Sequence, residues 1–396
     1  MFSLTITNLA IVLMVLCVSL VLLAYFYGMK PYRDAYRSSM PGPIGENERT
    51  PKASVLVYSK AEDEHLAATL EALSHQDYPD FEIIVICDGS WDQAEMLTER
   101  YSGLYDNVYF TFIQPGSHNL SRSKLTITIG VKASKGEIIV TTAANIRIPS
   151  EQWLSRLMRP FCGEQGRHYD VSLGVSRLCL ADMKGPGRWY RQFDELLSNA
   201  LWVGYAAAHK PYRGDGYNLA FRKSVFYDHK GYAQSIYLHN GDDDIFINEI
   251  TNGSNTMVTV SDEDIIESIW KDSMSNSTNK VWEIRKARYS FTQRWLPRAP
   301  FIRSGLMDIM QWAIPAAAIA AAIISLPNLV PAIISAVILL TFWGLEIYMY
   351  RRLAKRFGMI RLWWGVVPFW MWRPIGNLLF RYEHHSARKK NYTWQR

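Results

Sequence analysis

The sequence predicts an α/β fold, a mostly parallel sheet covered by helices, carried between apolar segments that cross a membrane. Two observations predict it. Short β-rich runs alternate with helical patterns from residue 53 to residue 142, as in sheets built from strand–helix–strand units. Long apolar stretches sit at both ends of the 396-residue chain, around a mixed and charged middle. Ends that suit lipid flank a middle that suits water.

The first element is an apolar segment at 1–28. No charged residue occurs from Leu4 to Tyr27, which is enough length for a helix to cross a bilayer. A cleaved signal peptide fits poorly, because a charged start is missing and the apolar run is too long. Lys30, Arg33 and Arg37 follow, and basic flanks mark the cytoplasmic side. Residues 29–50, with Pro41, Gly42, Pro43 and Gly45, read as a linker.

The middle domain is expected over 51–300. Strands are predicted at 53–58, 81–87, 108–113 and 137–142, with helices around 64–75, 93–101 and 122–134. Two membrane helices then fall within 301–350, at 305–326 and 329–350. Pro327 and Asn328 join them, a link short enough only for a hairpin across the bilayer. Arg351, Arg352, Lys355 and Arg356 return the chain to the cytoplasm. Asp308 and Glu346 fall near the cytoplasmic ends of these helices, where a charge costs less.

Residues 351–396 comprise a basic loop, an aromatic segment and a cytoplasmic tail. The aromatic segment, 359–380, carries Arg361, Pro368, Arg373 and Pro374. It reads as a broken helix at the interface, with Trp363, Trp364, Trp370 and Trp372 at headgroup depth.

The formal charge of +6 is compatible with nucleic acid. The basic residues, however, gather beside the apolar stretches, where they contact anionic lipid, and no nucleic-acid motif accompanies them. Membrane lipid is the expected partner, and nucleic acid is not. Cys17, Cys87, Cys162 and Cys179 show neither metal-ligand spacing nor a disulfide framework. They read as small core residues in a reducing compartment.

Open parallel sheets bind ligands beyond the carboxyl ends of their strands, so the chemistry is sought there. Asp88-Gly89-Ser90 closes the second predicted strand, Tyr58-Ser59-Lys60-Ala61-Glu62-Asp63 the first, and Thr142-Ala143-Ala144-Asn145 the fourth. Asp88 alone reads equally as the turn and cap of the next helix. Farther on, Gly241-Asp242-Asp243-Asp244 opens an apolar-periodic helix. Three adjacent carboxylates exceed what a cap needs. Their mutual repulsion raises the pKa of at least one, a useful property in a general base.

Together with Leu120-Ser121-Arg122-Ser123-Lys124-Leu125, these segments resemble the nucleotide-sugar half of the family-2 glycosyltransferases of GT-A (Rossmann-like) fold. The resemblance is closest to bacterial membrane-bound members related to cellulose and hyaluronan synthases. It implies that Glu62 or Asp63 and Asp88 hold the nucleoside, and that Lys124 or Arg122 meets the diphosphate. The segment from Lys210 to Lys223 resembles the family's acceptor side, with Gly214, Asp215 and Asn218 as its site residues, joined by Asp242 and Asp244. Asp243 matches the family's catalytic base. Arg285-Lys286-Ala287-Arg288-Tyr289 resembles the Gln-x-x-Arg-Trp motif, in which the arginine grips the pyrophosphate and the aromatic ring closes the acceptor site. Arg288 and Tyr289 fit that match, and Thr292-Gln293-Arg294-Trp295 is a rival placement.

One departure stands out. The family ends its fourth strand with Asp-x-Asp, which binds a divalent metal, Mg²⁺ or Mn²⁺. Here the corresponding ligand is Asn145, which offers a neutral oxygen but no charge. Either metal binding is weaker, or another acidic group supplies it, or the site is inactive.

The resemblance implies an inverting transfer from a nucleoside-diphosphate sugar, expected to be UDP-linked, to a glycan or lipid-linked acceptor in cell-surface polysaccharide synthesis. It implies a multi-pass protein of the bacterial inner membrane with its catalytic domain cytoplasmic, with other polysaccharide-assembly proteins as possible partners. A silent scaffold or sugar-nucleotide sensor that keeps the fold is the alternative, motivated by the lost Asp-x-Asp.

Overall fold

The computed structural model describes residues 2–38, 42–60, 65–101, 103–114, 121–179, 185, 187–269, 277–326 and 329–383. The chain opens with α1 (Phe2–Leu23), continued by a π-helical turn at Ala24–Gly28, and α2 (Lys30–Arg37). Then come β1 (Ala53–Lys60), α3 (Leu66–Ser74), β2 (Phe81–Asp88), α4 (Trp91–Tyr101), β3 (Val108–Ile113), α5 (Arg122–Ala133) and β4 (Ile138–Ala143). The next stretch holds β5 (Ile146–Arg147), α6 (Trp153–Met158), β6 (Val171–Leu173), β7 (Ser176–Leu178) and α7 (Arg188–Ala207). After it follow β8 (Leu219–Arg222), α8 (Lys223–Asp228), α9 (Asp244–Ile250), β9 (Thr256–Val258), β10 (Ile266–Ser268) and α10 (Ser277–Thr292). Three long helices close the chain: α11 (Arg298–Ile324), α12 (Leu329–Arg356) and α13 (Val366–Glu383).

The chain divides into two compact units. One holds Ser38–Arg188 and Tyr205–Leu296 and contains every strand among the described residues; the other holds Met1–Arg37, Trp189–Gly204 and Pro297–Glu383.

In the strand-bearing unit a seven-stranded sheet runs in the order β3-β2-β1-β4-β8-β6-β9. β1 pairs in parallel with β2 and β4, and β2 with β3. β8 lies antiparallel to both β4 and β6, and β9 returns parallel to β6. The sheet is therefore mostly parallel, as expected. Val55, Val57, Ile83, Val85, Ile138 and Val140 are wholly buried, which explains why these strands read as continuous apolar runs rather than alternating ones.

The chain leaves β1 toward β2 on one side and reaches β4 on the other. The register sets Lys60 beside Asp88 and Tyr58 beside Ala143. A crevice outside strand ends is expected at such a reversal, and three predicted strand-end segments meet there. A smaller sheet, β5-β10-β7, carries a charge ladder in which Glu267 joins Arg147 and Arg177.

In the other unit three helical segments, Asn8–Gly28, Arg298–Ile324 and Leu329–Arg356, are long and apolar enough to cross a membrane. Val15, Ile319 and Leu340 stay exposed on them, as lipid-facing positions require.

Three boundaries differ from expectation. Residues 29–50 are not all linker, because α2 forms and buries Tyr32 and Ala35. The domain expected over 51–300 is interrupted, because residues 189–204 pack with the apolar helices: Phe193 stacks on Tyr350 and meets Trp370 edge-on. The aromatic segment is one continuous helix from Val366, with Pro374 inside it. Arg373 donates to Asp194 at 2.9 Å, and Trp370 is buried rather than presented at a surface, while Trp363, Trp364 and Trp372 are exposed.

Candidate active site

A cavity opens in the strand-bearing unit between β1, β4, α5, the turn before β8, the run at 242–243 and α10. Its polar lining includes Tyr58, Asp215, Tyr217, Asp242, Asp243, Arg285, Arg288 and Tyr289, over an apolar wall of Leu56, Ile127, Val281 and Ile284. It encloses about 170 Å³ of solvent-accessible space. A water needs only about 10–15 Å³ on that measure, so the cavity accommodates a hydroxylated ring rather than one trapped water.

The acidic run is positioned by its turn. Gly241 takes a φ of 99°, a left-handed conformation that suits glycine, and the chain then enters α9. Asp243 caps that helix, with Oδ1 accepting the Asp244 N–H at 2.8 Å. Asp244 turns away from the cavity, and its Oδ2 accepts the Thr292 hydroxyl. Arg288 bridges the other two, donating from Nη2 to Asp242 and, at 3.1 Å, to Asp243 Oδ1.

All three carboxylates are buried. Burial raises Asp242, with the Asp243 charge acting in the same direction and Arg288 opposing. Burial raises Asp244 to about 7, again with the Asp243 charge adding to it. The expected repulsion operates, but desolvation is the larger cause.

The acceptor-like segment divides. Asp215 reaches the cavity, while its Oδ2 accepts the Ser176 N–H at 2.8 Å and hydroxyl at 2.7 Å. Gly216 lies against the catalytic-side run, where an added Cβ would stand 3.2 Å from that of Asp243. Gly214 instead sits between Leu173 and Ile247. Asn218 is buried in the frame: its amide donates to the Val175 and Asp264 carbonyls at 2.9 Å and accepts from the Trp153 indole. The structure thus brings Asp215, Asp242, Asp243, Arg288 and Tyr289 together, and leaves Gly214, Asn218 and Asp244 as supports behind them.

At the end of β2, Asp88 is held by three donor atoms. Arg122 grips it with Nε, at 2.9 Å, and Nη2, and the Tyr58 hydroxyl donates to Oδ2 at 2.8 Å. Lys124 does not reach the cavity. Its ammonium is buried and donates to the Ser235 and Leu238 carbonyls, which ties α5 to the loop leading into Gly241. Burial lowers its pKa to about 8. Glu62 and Asp63 lie outside the described residues.

Of the two placements for the arginine–aromatic motif, α10 brings Arg288 and Tyr289 to the cavity, while Arg294 is exposed and stacks over Trp295. The Tyr289 ring lies 3.1 Å from the Arg213 guanidinium, a contact that fixes the ring's plane. Tyr58 belongs to the strand-end segment where the chemistry is sought, whereas Tyr217 and Arg213, within the acceptor-like segment, are not singled out by the sequence. Arg213 offered no signal beyond its place in a Gly-rich segment.

The strand end expected to hold a metal is neutral. Ala143 and Ala144 are fully buried, and the Asn145 amide nitrogen donates to the Ile269 carbonyl at 3.1 Å. Among the described residues no group of three or more His, Cys, Asp or Glu side chains is placed to hold a metal ion. This donor set does not fit a divalent cation of the Asp-x-Asp kind.

Comparison with known proteins follows the same outline. Residues 54–209 match the profile of the family described as Glycosyl transferase family 2. A mannosyltransferase from Pyrobaculum calidifontis, solved with GDP-Man and Mn²⁺, is 18% identical; the match covers 94% of this chain and 99% of that one, with a TM-score of 0.52. That likeness shows the GT-A fold. A TarS fragment from S. aureus with UDP-GlcNAc is 14% identical over 82% of this chain and 92% of its own, but its TM-score of 0.39 carries no structural argument. The sequence matches no curated protein.

Proposed function

We propose that this chain, whose premise is a family 2 glycosyltransferase domain of GT-A fold, is a membrane-anchored inverting glycosyltransferase. It moves a sugar from a nucleoside-diphosphate donor to a hydroxyl of a glycan or lipid-linked acceptor at the cytoplasmic face of a bacterial inner membrane. The observation that carries this reading is the convergence of Asp242, Asp243, Arg288 and Tyr289 with the end of β1 on one cavity.

In this reading Asp243 takes the proton of the acceptor hydroxyl as its oxygen attacks the anomeric carbon. Arg288, one hydrogen bond from Asp243, faces the departing diphosphate and stabilises its charge. Tyr289 and Tyr217 offer aromatic faces to a sugar, and the apolar wall excludes water that would otherwise hydrolyse the donor. The basic residues flanking the three apolar helices support a cytoplasmic domain.

The test is to incubate the detergent-purified chain with a panel of UDP- and GDP-sugars and follow release of the nucleoside diphosphate. Consumption of one donor, faster with bacterial lipid extract as acceptor source, is the expected result. The neutral Ala143-Ala144-Asn145 end favours one rival, a sensor that binds nucleotide without turnover. Nucleotide binding with no donor consumed across the panel would establish that rival and sink the transferase.

A further inference from the structure

We infer that this domain stabilises the leaving diphosphate with a pair of arginines, Arg285 and Arg288, in the place where an Asp-x-Asp site would use a divalent cation. The inference rests on the transferase reading above and concerns the chemistry of that same cavity.

Three observations carry it. The first is the neutral strand end, where two buried alanines and an engaged asparagine replace the carboxylates. The second is that the acidic groups lining the cavity are committed elsewhere. Asp242 and Asp243 share Arg288, and Asp215 accepts from Ser176 and from the Tyr217 N–H. A cation seated there would have to displace the half-buried Arg288 from two buried carboxylates, a costly exchange.

The third observation is a gain that matches the loss. Arg285 stands where the resembling motif has glutamine, three residues before Arg288, so both project from one face of α10. Both line the cavity. The Arg285 guanidinium lies 5.4 Å from the Tyr217 ring centroid, a contact that orients its plane. Two carboxylates and a divalent ion cancel in charge. A neutral strand end with one added guanidinium replaces that cancelled charge with a positive one beside Arg288, on the side of the cavity that would face the diphosphate. The planar fork of arginine also suits paired phosphate oxygens.

The transfer balances without a metal. The bond between the anomeric carbon and the β-phosphate oxygen breaks, and its electron pair leaves with that oxygen, which accepts hydrogen bonds from Arg285 and Arg288. The acceptor oxygen bonds to the anomeric carbon, and its proton passes to the Asp243 carboxylate.

The experiment measures binding of inorganic pyrophosphate, UDP and GDP to the full-length protein by calorimetry, in EDTA and in Mn²⁺, with donor consumption followed in parallel. The wild type is expected to bind as tightly in EDTA as in Mn²⁺. Arg285→Gln should lose about 10- to 100-fold in affinity, the value of a charge-assisted contact, and Arg285→Lys should recover part of it. Arg285→Gln combined with Asn145→Asp should regain binding only with Mn²⁺.

Wild-type binding or turnover that collapses in EDTA and returns with Mn²⁺ would overturn the inference, as would an Arg285→Gln protein that binds like the wild type. Pyrophosphate binding through Arg285 without binding of either nucleotide would uphold the arginine site and sink the transferase reading. Binding of none of the three would end both.

Discussion

Two carboxylate–guanidinium contacts of the domain differ in how far their carboxylates are withdrawn from water. At the end of β2, Asp88 and Arg122 keep 16% and 30% of their side-chain surface open to water. At the start of α9, Asp242 and Asp243 keep only 9% and 5%, and Arg288, which serves both, keeps 25%. The same chemical contact therefore has different consequences. A more exposed pair exchanges partners more cheaply, which suits a contact that opens for a nucleotide in the proposed reaction. A buried pair holds its members in one geometry, because losing either partner strands a charge in a poorly solvating interior. That suits a base whose carboxylate has to stand in a fixed place.

The largest break in this comparison is at the proposed base, Asp243. Asp243→Asn keeps the volume and the cap but cannot take a proton, so turnover should fall about 10³-fold while calorimetric affinity for the nucleoside diphosphate stays close to the wild type. An equal fall in affinity would make Asp243 a binding group instead.

Next is Arg288→Met, which keeps the stem and removes the charge from beside Asp242 and Asp243. Breaking one partner of a buried network costs about 3–5 kcal/mol, read as a lowered midpoint in chemical denaturation. A shift below 1 kcal/mol, the range of surface pairs, would show that water enters the run.

The pH dependence sharpens the same contrast. Asp244 is raised by burial from 3.8 to about 7. Through that window the folded chain holds a proton that the unfolded chain has lost, so stability should decline as pH rises. Asp244→Asn should flatten that decline, measured as thermal midpoints across the window; an unchanged slope would assign it to other groups.

The smallest effect belongs to the open pair. Arg122→Gln should change stability by less than about 1 kcal/mol while altering nucleotide affinity, measured by the same calorimetry. A large loss of stability would mean that the Asp88 pair is built into the frame.

The first four strands are legible in the sequence because buried parallel strands are written as apolar runs, and the range 108–113 coincides with β3; the shorter β5, β6, β7, β9 and β10 carry no such run. The apolar helices were equally plain in kind, though α11 and α12 extend beyond the predicted 305–326 and 329–350. The reading failed where a residue's fate depends on what lies far away in the chain. Residues 189–204 carry an apolar stripe, but their partners are Tyr350, Trp370 and Arg373. Lys124 looked like a phosphate ligand until the loop at 235–238 took up its ammonium.

The candidate site follows the same division. Residue type and order along the chain determined which groups are able to do chemistry: Asp88, the acidic run at 242–244, and an arginine followed by an aromatic residue. Tertiary structure decided which of them face the cavity. Asp243 lines it while Asp244, its neighbour, holds Thr292 behind it. The physical reason is that a side chain's chemistry is set by its own atoms and its local periodicity. Its direction, solvation and charge partner are set by whatever packs against it, and around this cavity those neighbours come from segments more than a hundred residues apart in the chain, as Tyr58 and Arg288 do.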